Sequence, residues 1–180
     1  MSKLIFGFGD KKAKKIPNSR NILGGKGSNL AEMARLGLPV PPGFTISTKM
    51  CEIFYKSNKK LNTKIKGEIK KELKKIEART KKKFGDNNNP LLVSVRSGSR
   101  VSMPGMMDTI LNLGLNDMTV EALSKKTAND RFAKDSYRRF IQMYANVVMG
   151  VETYHFEEMI DNFKFTKGVL QDTELNAGDW

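Results

Sequence analysis

The sequence predicts an α+β protein, with a mixed lobe over residues 1–115 followed by a helical lobe over residues 116–180. Two β-branched or alternating apolar runs, Val93 with Val95 and Ile110 to Leu115, flank a loop of small residues and read as strand, loop and strand. Two earlier segments, after Gly27 and from Lys59 to Lys83, carry apolar residues at helical spacing, and beyond Leu115 that spacing prevails.

The first element follows Gly24-Gly25-Lys26-Gly27. Leu30, Met33, Ala34 and Leu36 share one broad face of a short helix, and Gly37 stands where a helix C-terminal glycine belongs. Lys26 is therefore expected at a helix N-terminus. The unpaired N–H groups and dipole of that end favour an anion, and a lysine adds a mobile positive charge.

The second element is the stretch Lys59–Lys83, where Leu61, Ile65, Ile69, Leu73 and Ile76 form an apolar stripe and lysines cover the rest. Few local pairs, such as Lys64 with Glu68, relieve the repulsion. The basicity is local: residues 1–90 hold 22 lysines and arginines against 7 acidic residues, whereas residues 91–180 hold 10 against 12. Lys11, Lys12, Lys14 and Lys15 add to it. Such clustering keeps a nucleic-acid binding module as the alternative function. Lysines outnumber arginines 24 to 8 and no aromatic residue interleaves the cluster, so a solvated helix face is the favoured reading and nucleic acid is not the expected partner.

The third element is the strand–loop–strand. Val93 and Val95 deliver Arg96 into Ser97, Gly98, Ser99, Arg100, Ser102, Pro104 and Gly105. Small residues let backbone N–H groups approach an anion, and a planar guanidinium grips two phosphate oxygens at once. Taken from the residues alone, a surface hairpin with Arg96 paired to a carboxylate stays open. The lysine and arginine loops together predict one basic anion site from residues 70 positions apart.

The remaining elements are helical. Thr119 is expected to cap a short helix through Val120, Ala122 and Leu123. Asn129 or Asp130 opens a longer one with Phe132, Phe140, Met143, Tyr144, Val147 and Val148 on its buried side, stopped by Gly150. A last helix surrounds Phe156, Met159, Ile160 and Phe163, followed by a polar segment from Asp172 to Trp180 with no closing element. Met33, Met143 and Met159 read as packing residues. Met103, Met106 and Met107 sit in the polar loop, where shielding of a phosphate or contact with a nucleotide is an open role.

Familiar nucleotide fingerprints fail here. Gly25-Lys26 is followed by Gly27 rather than Ser or Thr, and Gly7 and Gly9 lack a third glycine at Lys12. The run GGKGSNLAEMARLGLPVPPGF with SVRSGSRVSMPGMMDTILNLGL nevertheless closely resembles the N-terminal nucleotide-binding domain of the pyruvate, phosphate dikinase family, and the resemblance extends through DSYRRFIQMYANVVMGV. The Met103–Asp108 run favours this family over the related phosphoenolpyruvate synthases.

The resemblance implies a partial ATP-grasp nucleotide-binding domain. In the complete enzyme ATP, pyruvate and phosphate become AMP, phosphoenolpyruvate and diphosphate by way of a phosphohistidine on a swivelling domain. Lys26 and Arg96 match the family's phosphate-contacting residues, and Gly25, Gly27, Ser97, Gly98, Ser99 and Met103 are further expected phosphate-loop contacts. ATP is the expected ligand. The resemblance places the Mg²⁺ ligands beyond Trp180, so neither catalytic nor metal-ligating residues are expected here, and the chain is expected to be a fragment without activity of its own. His155, the single histidine, lies in the helical lobe rather than in the acceptor motif.

No apolar run approaches the ~18 residues that span a membrane, and no signal-peptide core is evident. Cys51 is alone, which makes a reducing cytoplasm the expected location; beside Met50, Ile53 and Phe54 it reads as packed rather than reactive. Pairing with another copy is left open.

Overall fold

The computed structural model describes residues 3–9, 16–98 and 109–180. Among these residues lie six α-helices, two two-stranded antiparallel sheets and one 3₁₀ turn, so the chain is α+β. Contacts divide it into two compact units, Met1–Lys81 with Ser97–Met107, and Lys82–Arg96 with Asp108–Trp180.

In the first unit, β1 (Ile5–Phe8) pairs with β2 (Gly43–Ile46), Ile5 opposite Ile46 and Phe8 opposite Gly43. The Phe8 ring lies on the Gly43 backbone, where a Cβ would come within 2.4 Å of Cζ. A side chain at this position would displace the Phe8 ring. On this ribbon pack α1 (Ser19–Arg35) and α3 (Thr63–Thr80), α2 (Thr48–Lys56) packs on α1, and Ile5, Leu23, Ala34, Met50, Ile65 and Ile76 are buried.

The end of α1 follows its sequence signature. Gly37 takes φ 83° while its N–H donates to the Ala34 carbonyl and that of Leu38 to the Met33 carbonyl. This pair of bonds closes a left-handed helix terminus and satisfies carbonyls that would otherwise be orphaned. The expected apolar face is only partly used: Ala34 is buried, but Met33 and Leu36 are exposed. In α3 the cap is Asn62, whose side chain accepts from the Ile65 N–H. Glu68 and Glu72 lie toward the core side with Ile65, Ile69 and Ile76, while Lys64, Lys66, Lys70, Lys71, Lys74 and Lys75 face solvent.

In the second unit, β3 (Val93–Arg96) pairs with β4 (Thr109–Leu113). Val93 faces Leu113 but Val95 faces Ile110, so β4 carries an extra residue, and Asn112 absorbs it at φ 56°. The bulge breaks strict alternation. Leu111 is consequently exposed while Leu115, beyond the strand, is buried.

Three helices follow, α4 (Asp117–Thr127), α5 (Asp130–Met149) and α6 (Thr153–Lys167). α5 packs against β4 and α4, which groups the second ribbon with these helices rather than with the elements before residue 82. Leu115, Val120 and Ala133 form the core, covered by Leu92, Leu123, Tyr137 and Phe140.

Four local expectations are corrected here. Asn116 rather than Thr119 caps α4; its Oδ1 accepts from the Met118 and Thr119 N–H groups, and Thr119 Oγ1 accepts from the Asn116 N–H in return. Thr119 is the third helical residue of that reciprocal box. On α5, Phe140 packs against the core as expected, but Phe132, Tyr144 and Val148 are exposed, and the buried residues are Ala133, Ser136 and Ala145. Ala133 enters the core beside Leu115 and Val120, where Tyr137 and Phe140 of the same helix pack against it. Met159 is exposed on α6, which has no buried residue. Finally, the C-terminal segment is packed: Leu175 is buried at 1% exposure, and Arg131 donates to the carbonyls of Asp172 and Leu175 at 2.6 and 2.7 Å.

Candidate functional site

The lysine loop is built by a break in α1. Gly24 adopts φ 71° and ψ 173°, a region open essentially to glycine alone, and the helix restarts at Gly25 with Lys26 and Gly27 in its first turn. Lys26 thus begins a helical segment, as its sequence context predicts, although a helical turn from Ser19 to Leu23 precedes it. Such a restart leaves N–H groups without a carbonyl one turn back and directs the positive end of the dipole toward the break.

The glycines have separate tasks. Gly24, Gly25 and Gly27 are buried and Lys26 is half-buried. A Cβ on Gly27 would lie 2.8 Å from Thr45 Cγ2, 2.9 Å from Thr45 Oγ1 and 3.1 Å from Leu23 Cβ, so Gly27 lets the restarted helix sit directly on β2. Ser19 and Ser28 share a hydroxyl hydrogen bond at 2.6 Å across the break, and Thr48 Oγ1 donates to the Asn21 carbonyl at 2.7 Å. Sequence reasoning missed these supports. Hydroxyls spaced nine residues apart give no periodic signal, and only the break brings Ser19 to Ser28.

Arg96 closes β3 opposite Thr109 and is exposed in the second unit. Ser97 and Gly98, also exposed, cluster with the first unit, where a Cβ on Gly98 would lie 4.0 Å from the Leu23 carbonyl oxygen. Ser99 and Met103, with the other loop residues to Asp108, lie outside the described residues, as do Lys11, Lys12, Lys14 and Lys15.

His155 is exposed on α6 with its ring 4.0 Å from that of Tyr154. Cys51 is exposed, correcting the expectation that it is packed; Met50 takes the buried position on α2 instead. Among the described residues no group of three or more histidine, cysteine or acidic side chains is placed to hold a metal ion. None of the described helices is long and apolar enough to cross a membrane.

A family model described as pyruvate phosphate dikinase, AMP/ATP-binding domain, matches residues 20–67 and 59–152. The chain is 55% identical over 179 residues, 99% of its length, to the pyruvate, phosphate dikinase of Clostridium symbiosum, and covers 20% of that protein. It is 51% identical over 180 residues to the enzyme of Rhizobium meliloti, again covering 20%, and 50% identical over 177 residues to the chloroplastic enzyme of Mesembryanthemum crystallinum, covering 18%. It thus spans about one fifth of the length of these relatives. The expected resemblance is therefore shown, and the chain belongs to the pyruvate phosphate dikinase AMP/ATP-binding domain family.

Proposed function

We propose that this chain supplies the phosphate-gripping part of the ATP site of a pyruvate, phosphate dikinase, with Lys26 and Arg96 holding phosphate oxygens. The observation that carries the reading is the Gly24 break, which starts a helical segment at Lys26 and is backed by Gly27 against Thr45. A rigid helix start with a lysine in its first turn provides fixed N–H donors and a positive charge that can follow the transferring group. Phosphoryl transfer needs little else from the protein, because its transition state is stabilised by positioning and charge neutralisation. Arg96 adds a planar fork suited to two oxygens of one phosphate. Ser97, Gly98, Ser99, Met103 and Gly25 complete the proposed loops.

In the whole enzyme this site would serve conversion of ATP, pyruvate and phosphate to AMP, phosphoenolpyruvate and diphosphate, in a cytoplasmic setting. Mg²⁺ would supply further charge neutralisation on the nucleotide. Among the described residues no group of three or more histidine, cysteine or acidic side chains is placed to hold it.

The test is ATP titration of the chain followed by ³¹P NMR line broadening, with Lys26→Ala and Arg96→Ala beside the unmodified protein. Losing one charge-assisted hydrogen bond costs about 1.5–3 kcal/mol, so each variant should bind at least tenfold more weakly. Undiminished broadening in both would overturn the reading.

A second reading, polyanion binding by α3, has one observation in its favour: the lysines of α3 face solvent while Glu68 and Glu72 turn inward. Such binding would be non-specific and fall steeply with salt, because it releases counterions. Charge reversal at Lys70, Lys71, Lys74 and Lys75 should abolish it, and tight, sequence-selective binding at physiological salt would displace the nucleotide reading.

A further inference from the structure

We infer that Thr48, on α2, is a positioning residue of the lysine turn, and that it acts with the Ser19–Ser28 pair to hold the break in α1 in its phosphate-ready form. The inference rests on the reading of Lys26 as a phosphate contact and extends that site to a hydroxyl on a different helix. The need for such a tie comes from the joint itself. Gly24 and Gly25 are consecutive, and Gly24 stands at φ 71° and ψ 173°. Glycine has more backbone freedom to lose on ordering than any other residue, so a joint of two swings unless it is held from outside. A swinging turn would have to be ordered by its ligand, at the expense of affinity.

Thr48 holds it from α2. In a continuous helix the Asn21 carbonyl would accept from the N–H four residues on, that of Gly25. Here Thr48 Oγ1, 27 residues away, donates to that carbonyl at 2.7 Å. The carbonyl thus has a donor from outside the helix, which suits a turn whose own N–H groups are kept for an anion. Thr48 is itself well founded. The N–H of Ser47 donates to the Leu4 carbonyl at 2.8 Å, just before β1, and Ser47 and Met50 on either side of it are buried.

The serine pair ties the two sides of the break to each other, Ser19 in the turn before it and Ser28 in the turn after, at 2.6 Å. Two residues of a helix are about 200° apart around its axis, so Ser28 lies almost opposite Lys26 and the tie leaves the lysine's face clear. With Thr45 against Gly27, the turn is held from β2, from α2 and from its own preceding turn. None of these hydroxyls needs to touch a phosphate. They act by keeping the N–H donors and Lys26 in place before the ligand arrives, and donors that need no rearrangement stabilise developing charge best.

The experiment compares Thr48→Val, which keeps the branched shape and removes the hydroxyl, with Thr48→Ser, which keeps the hydroxyl. Each whole chain is titrated with ATP and with inorganic tripolyphosphate, read by ³¹P line broadening and ¹⁵N–¹H spectra. Losing one neutral hydrogen bond shifts an equilibrium by about two- to tenfold, so Thr48→Val should bind both ligands more weakly by a factor in that range, and Thr48→Ser should bind as the unmodified chain does. Without ligand, Thr48→Val should shift or broaden the amides of Gly25, Lys26 and Gly27 while exchange protection at Ile5 and Ile65 stays, a pattern that general loss of stability would not give. Ser28→Ala should weaken both ligands likewise, and it decides the matter if Thr48→Val does not fold. Undiminished binding in folded Thr48→Val, or Thr48→Ser as weak as Thr48→Val, would overturn the positioning role; with Lys26→Ala weakened, the phosphate reading would survive it. Undiminished binding in Lys26→Ala, or no binding by the unmodified chain, would overturn both.

Discussion

Gly27→Ala and Gly67→Ala make the same chemical change in two helices of one unit, and the structure predicts opposite outcomes. Each replaces glycine by the best helix former, which favours the folded state by about 0.8–1.0 kcal/mol in a helix interior. At Gly67 nothing lies within 4 Å of the new methyl group, so the gain is kept and the variant is more stable by roughly 0.5–1 kcal/mol. At Gly27 the methyl meets both γ atoms of Thr45, at 2.8 and 2.9 Å. Rotating Thr45 exchanges one γ contact for the other, so relief requires the helix to lift off β2. Overpacking of this kind costs about 1–3 kcal/mol, and with the contact blocked on both sides the upper half of that range applies. The net effect of Gly27→Ala is then a loss of about 1–2 kcal/mol after the propensity gain is subtracted. Trp180 belongs to the second unit and is the wrong probe. Hydrogen exchange of Ile5, Leu23 and Ile65 amides under mild urea reports the first unit directly. A Gly27→Ala protein as stable as the unmodified one would refute the claim that Gly27 is required by its contact with β2.

What the sequence made legible follows from how local each cause is. Gly37 and Gly150 end their helices at φ 83° and 72° as expected, because a positive φ is a one-residue requirement. The helix start at Lys26 was legible from its glycines, but the helical turn from Ser19 to Leu23 before the Gly24 break was not. The ribbon β1–β2 was not, since Ile5–Phe8 is four residues long with a glycine inside and pairs across almost forty positions. The face of α5 was legible only in part: Phe140 packs on the core as expected, but Phe132, Tyr144 and Val148 are exposed, since apolar size alone does not say where a neighbouring element ends. Clamping of the C-terminal segment was equally hidden. Arg131 reaches it through backbone carbonyls 41 and 44 residues away, and a carbonyl leaves no mark in the sequence.

Gly24→Ala forces a side chain into a conformation open only to glycine and should cost about 1–3 kcal/mol; heat or urea unfolding monitored by exchange in the first unit would show it, and no loss would mean the break is not held. Asn116→Ala removes one half of the α4 capping box and should cost about 0.5–2 kcal/mol, read from amide exchange across α4. Asp86 is drawn below the ordinary carboxylate range by the N–H groups of Asn89 and Asn88, and Asp179 by the Lys167 side chain and the Asn176 N–H. Their contribution to stability is present above the ordinary aspartate value and lost as pH falls through their lowered values; carboxyl ¹³C titration should find both below a model-peptide aspartate. The C-terminal clamp gives the last prediction. Leu175 is 1% exposed, so Leu175→Ala should cost about 2–5 kcal/mol as a large-to-small core change. Arg131→Ala removes the donor to two carbonyls of the same segment. Since the Trp180 ring sits 4.4 Å from the Arg138 guanidinium carbon, release of the segment by either change should expose the indole and shift its emission to the red. Emission unchanged in both variants would show that Trp180 is held independently of Leu175 and Arg131, and that the clamp does not act as one unit.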